Sequence, residues 1–227
     1  MQIGFRKQRV CLGVAKLEQE ILDRLKELGG NILTREDKPL AEILLSIEFN
    51  TVLYENKIET VDEEEPIYGI SEFIDEHLPL FYSDKEMFYS KIVDHYFCLT
   101  EAGYGQDFWQ GELFTPYKVG SEDYEEWHEI FANEGVDEYA VDLSVIRNIV
   151  KEQKPDFIHL FYSYGYPDNY YICLSDPNSD DPIVFGTDHE QFFNDIRNYG
   201  KLSEFLKRYM TKDDLVGIIE TMLNENK

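Results

Sequence analysis

The sequence predicts an α+β protein. Segments of helical period and segments of strand character fall in separate runs, without strict βαβ alternation. Within residues 157–185, three apolar, β-prone runs are joined by short turn-rich loops, the pattern of an antiparallel meander. No Gly/Ser linker, internal repeat or low-complexity tract divides the 227 residues, so residues 1–227 read as one α+β domain.

Residues 14–28 predict the clearest helix. Val14, Leu17, Ile21, Leu25 and Leu28 make one apolar stripe, and Gly29-Gly30 ends it as a glycine cap would. Leu40 to Phe49 reads as helical at first and then extended. Phe49 to Glu59 alternates as a strand or hairpin, with Glu55-Asn56 at the turn. The acidic run Asp62–Glu65, followed by Pro66, reads as an exposed loop. Ile67 to Phe81 suggests a short helix ended by Pro79. The second half of Phe88–Leu99 reads as a strand.

Residues 107–140 mix aromatic and acidic side chains and hold both tryptophans, with a helix expected around Tyr124–Asn133. Val141 to Gln153 is a further amphipathic helix. The three strands of the meander start at Phe157, Tyr170 and Ile183. In Leu202–Met210 the period changes, with Leu202, Phe205, Leu206 and Tyr209 at helical spacing. Asp213 to Asn224 predicts a last helix, capped by Thr211.

Charge restricts the function. Acidic residues outnumber basic ones 46 to 21, for a formal net charge of −25. Such a surface repels nucleic acid and anionic membranes and favours a basic partner, or serves solubility alone. Neither direct nucleic-acid binding nor membrane association is expected. No apolar run reaches the length that crosses a bilayer, and no long apolar region follows Arg6, Lys7 and Arg9, so a cytoplasmic protein is expected. Cys11, Cys98 and Cys173 lie far apart without C-x-x-C spacing, which indicates neither a disulfide framework nor a zinc site.

No catalytic motif is present, and no cofactor or metal is expected. Asp176-x-Asn178-x-Asp180 matches the start of a calcium loop. Asp181 then stands where glycine makes the sharp turn, and Thr187 where a bidentate glutamate is needed, so the stretch reads as a solvated turn. Asp188-His189-Glu190 cannot converge on one ion by itself, because neighbours on an extended chain point to opposite faces. It reads as a strand-to-helix loop, with Asp188 as the cap and Glu190 in the first turn. His95 and Cys98 would share a face on a helix as a thiol–imidazole pair, but lie on opposite faces of a strand. With no third orienting group, a structural role is the reading. Gly103-x-Gly105 lacks the lysine and third glycine of a phosphate loop. The Trp109–Trp127 region is the best candidate interface. Its aromatics alternate with carboxylates, as a surface for an arginine- or lysine-rich partner would, although burial in a core is the commoner fate of large aromatics.

The strand FIHLFYSYG, the aromatic hairpin DNYYICLSDP, the strand IVFGTDHE and the helix LSEFLKRYM together resemble the C-terminal half of the SUKH superfamily. Asp188, His189, Glu190, Phe205 and Leu206 stand at the positions of that motif. The superfamily includes bacterial immunity proteins and fungal cell-wall synthesis regulators. The resemblance implies a curved, mostly antiparallel sheet packed by helices, with the acidic aromatic stretch 104–140 as an insertion. It implies no enzymatic activity, and a bacterial immunity protein that binds and neutralises a cognate toxin domain, commonly a nuclease. The acidity is compatible with such a partner, a protein toxin with a basic surface. Asp107, Trp109, Glu125, Trp127, Tyr166 and Asp168 are the expected partner contacts. A regulatory scaffold bound to a cellular partner is the alternative. A hydrolase built on carboxylates or the His95/Cys98 pair is a third reading that no sequence feature requires.

Overall fold

The computed structural model describes residues 17–35, 37–56, 65–98, 105–126, 143–165, 168–190 and 192–225. Helices pack on a strongly curled antiparallel six-stranded sheet, an α+β fold with a curved, half-barrel sheet.

Helix α1 (Gln19–Glu27) buries Ile21, Leu22 and Leu25 and turns Glu20, Asp23, Lys26 and Glu27 outward. Its start is tied down by the Glu18 N–H, which donates to the Asp180 carbonyl. Gly29 follows at φ +102°, where a Cβ would stand 2.6 Å from Thr51 Oγ1. The next glycine is more than a cap. Strand β1 (Gly30–Ile32) pairs with β2 (Ile47–Phe49), and this small ribbon encloses helix α2 (Leu40–Leu44).

Strand β3 (Leu53–Tyr54) begins the main sheet. Glu55-Asn56 is not a hairpin turn as expected. Glu55 bridges to Tyr209, and the Asn56 N–H donates to the Arg208 carbonyl, so this edge runs beside residues 208–210. Helix α3 (Ile70–Ser83) continues through Pro79 instead of ending there. A proline inside a helix leaves the carbonyl four residues back without its donor. Here that carbonyl belongs to exposed Asp75, and Pro79 is itself exposed, so water can serve it. Meanwhile Ile70, Ile74 and Phe81 pack on the next helix.

That helix, α4 (Lys85–Phe97), occupies the stretch whose second half was expected to be a strand. Phe88, Ile92 and Tyr96 recur every fourth residue and are buried, and Asp84 caps the start by accepting from Met87 N–H at 3.0 Å. The β-prone composition of Tyr96-Phe97-Cys98 is overridden by this periodicity.

Strand β4 (Gln106–Phe114) lies in the stretch 104–140 and is the second strand of the sheet. Residues 122–126 are helical, and helix α5 (Ser144–Val150) follows. Strands β5 (Phe157–Ser163), β6 (Asn169–Cys173), β7 (Ile183–Asp188) and β8 (Phe192–Lys201) complete the meander, each paired antiparallel with the one before it. β8 stands where the reading had a loop with Asp188 capping a helix. Asp188 instead accepts from Glu190 N–H at 2.7 Å in the β7–β8 turn, and Phe193 packs against Phe114 and Phe157.

Side chains alternate across the sheet. Ile158, Ile172 and Val184 face a core shared with α1, α2 and helix α6 (Leu202–Leu206), while Phe157, Tyr171, Cys173 and Phe185 face α5. A bulge in β5 between His159 and Phe161 puts Leu160 and Phe161 both into the first core. A third cluster joins α3, α4 and helix α7 (Lys212–Glu225). Thr211 caps α7 as expected: its Oγ1 accepts from Asp214 N–H, and the Asp214 carboxylate accepts from Thr211 N–H. The two ends of the described chain meet, since Arg24 on α1 donates to the carbonyls of Leu206 and Tyr209.

Candidate functional site

Asp107 enters at the start of β4, paired in register with Leu53 on one side and Ser163 on the other. Strand order alone therefore sets a carboxylate beside a serine. The Ser163 hydroxyl donates to Asp107 Oδ1 at 2.7 Å, and the Tyr209 hydroxyl donates to Oδ2 at 2.6 Å. Asp107 is only 5% exposed, and Tyr209 is fully buried. Burial pushes the Asp107 carboxyl up to about 6, although the two hydroxyls and Arg208 act in the other direction. Burial and the neighbouring carboxylate also hold the Tyr209 hydroxyl well above its usual value.

A cavity of about 260 Å³ lies against this carboxylate, at the end of the sheet where β4 begins, β5 ends and β6 begins. Tyr68, Tyr170, Glu55, Asp168 and Arg208 are among its walls. Glu55 and Arg208 pair across it at 2.6 Å, and the Arg208 guanidinium lies over the Tyr199 and Phe205 rings at 5.1 and 5.2 Å. Asp168 Oδ1 accepts from the His189 N–H and faces its Nδ1 at 3.1 Å; this hydrogen bond raises the imidazole above its ordinary value.

The expected contact residues divide. Asp107 and Asp168 line the same cavity. Asp107 is not the surface residue expected: at 5% exposure it is reached only through the cavity it lines. Trp109 is half-buried. Its ring packs on Phe49 and Phe161, and its indole N–H donates to the Ile47 carbonyl at 3.1 Å, so it joins β4 to the small ribbon. Glu125 is exposed on the helical residues 122–126. Trp127 and Tyr166 lie outside the described residues.

Other polar clusters have local work. Asp176 accepts from Asn178 and Ile183 N–H groups, and Asp181 accepts from both the N–H and hydroxyl of Ser203 at the start of α6. These buried carboxylates hold the 176–181 loop and cap a helix. Asp168, Asp188 and His189 bring ligand atoms within 4.8 Å of one another. Convergence there needs Asp168 from β6's end, which adjacency in sequence did not reveal. Both carboxylates already accept hydrogen bonds from the turn they close. Cys98 Sγ meets the His95 carbonyl, while the His95 ring packs on Phe73 and Tyr96; no thiol–imidazole pair forms.

Sequence reasoning missed Glu55, Ser163, Tyr170, Arg208 and Tyr209. Tyr209 had a signal, since its spacing from Leu202, Phe205 and Leu206 marks it for burial even though the helix ends at Leu206, and a buried phenol needs a partner. The others had none. Comparisons with protein-family models, with curated proteins and with solved structures return no match.

Proposed function

We propose that this protein is a non-enzymatic immunity protein, which binds and neutralises a cognate bacterial toxin domain with a basic surface, a nuclease. The reading rests on one surface. Around residues 112–126, Leu113 and Val119 are 49% and 79% exposed, and Glu112, Glu122, Glu125 and Glu126 stand exposed beside them. The segment is folded back on itself: Thr115 N–H donates to Asp123, and the Ser121 hydroxyl donates to the Thr115 carbonyl. Apolar contact area rimmed by carboxylates suits a lysine- and arginine-rich partner, and the net charge of −25 would steer its approach.

Affinity capture at low and moderate salt, followed by co-expression of any recovered basic toxin domain, tests the reading. Growth should be restored by the wild-type chain. Joint reversal of Glu122, Glu125 and Glu126 to lysine should slow association by at least about tenfold at low salt. Failure of the wild-type chain to protect against every toxin domain it captures would sink the proposal.

A further inference from the structure

We infer that the cavity beside Asp107 is a binding site for a compact organic cation, a guanidinium or primary ammonium group. The floor is a carboxylate that is 5% exposed and whose hydrogen-bond partners are the neutral hydroxyls of Ser163 and Tyr209, with no salt bridge to it among the described residues. Each carboxylate oxygen accepts one hydrogen bond there, and a carboxylate has about four acceptor positions, so capacity remains for a donor in the cavity. The Arg208 guanidinium does not fill that role. It is held by Glu55 and by two aromatic rings.

The walls suit the same guest. Tyr54, Tyr68, Tyr164 and Tyr170 contribute aromatic surface, which attracts a cation through its negative face. Tyr68 is 74% exposed at the rim and can cover a guest. Glu55 and Asp168 add negative charge, Arg208 subtracts one, and an anion would meet Asp107 directly. A cavity of about 260 Å³ accepts a head group with a short stem, from a free amine or from a basic side chain. This site is separate from the 112–126 surface and stands without the toxin-binding proposal.

Binding should be linked to ionisation of the floor. The groups facing Asp107 are Ser163 from β5, Tyr209 after α6, Tyr170 from β6, and the charges of Glu55 and Arg208. The Asp168–His189 pair stands further along the wall. With the carboxyl titrating at about 6, a cation that requires its anion binds about tenfold more tightly at pH 7.5 than at pH 5.

Calorimetry and NMR on the full chain would use methylguanidinium and butylammonium, with methylurea as the neutral control and acetyl-arginine amide as the side-chain form. Expected are Kd values in the millimolar range for the small cations, none for methylurea, and release of about half a proton near pH 6. Tighter binding of the arginine amide would assign the site to a partner's side chain; equal binding would assign it to free amines. Asp107→Asn should weaken the cations at least about tenfold and abolish proton release. If that variant does not fold, Tyr68→Ala serves, with a several-fold loss expected. Equal binding of methylurea, no binding of either cation, or unchanged binding in the folded variant overturns the inference.

Discussion

Asp107 and His159 titrate over nearly the same pH range, with opposite effects on stability. The folded Asp107 carboxyl titrates at about 6 against 3.8 for a free one, so between those values the folded state holds the extra proton. Its contribution is therefore greatest at low pH and is lost as pH rises through about 6, by on the order of 3 kcal/mol. His159 stacks on Tyr171 at 4.7 Å, and burial depresses it from 6.5 to about 4 despite a hydrogen bond with the Phe161 carbonyl. There the unfolded chain holds the extra proton, so stability falls by on the order of 3 kcal/mol as pH drops from 6.5 to about 4. In the wild-type chain the two effects largely offset. Denaturant titrations from pH 4 to 7 should show Asp107→Asn gaining on wild type as pH rises, and His159→Gln gaining as pH falls. Parallel curves for wild type and variants would refute this. Both Asp107 and Asp168 were selected from sequence, yet as surface residues. Nothing local to Asp107 indicates a tyrosine 102 positions away that donates to it.

Elements were legible where side-chain period and packing agreed. The runs at 157–163, 169–173 and 183–188, the first helix and the Thr211 cap follow from apolar spacing and turn chemistry. Where they disagreed, tertiary packing prevailed: α4 replaced an expected strand, and β8 replaced a loop, because each buries aromatics against partners distant in sequence. β4 was the hardest to read. Its register shifts between Trp109 and Glu112, which breaks the alternation that marks a strand. Gly111 permits that bulge at φ +58°, and a Cβ there would meet Trp109 Nε1 at 2.5 Å and the Leu44 carbonyl at 3.2 Å. Gly111→Ala is expected to destabilise the fold by about 2 kcal/mol or more, through left-handed strain and displacement of Trp109. Urea denaturation read by tryptophan fluorescence would check it, and an unchanged midpoint would show that the bulge relaxes freely.

At the scale of the whole molecule, the α+β class and the three-strand meander could be read from sequence. The assembly of six strands could not, because β3 and β4 join it across long stretches of sequence, Leu53 pairing with Asp107 and Phe114 with Phe157. Among the described residues no helix is long and apolar enough to cross a membrane. The seating of α1 has a kinetic consequence. The strands from β5 onward pair with near neighbours in sequence, whereas Arg24 reaches carbonyls 182 and 185 residues away. Closing so long a loop costs about 2–3 kcal/mol more than closing a hairpin, before any contact repays it. The meander should therefore assemble first and α1 should dock late, as a latch across a sheet already formed. Native-state hydrogen exchange would then find the amides of 21–27 released in a partial opening while those of β5 exchange only on global unfolding. Such an opening would bare the apolar seat that Ile21, Leu22 and Leu25 cover, making the first helix the place where this protein begins to come undone.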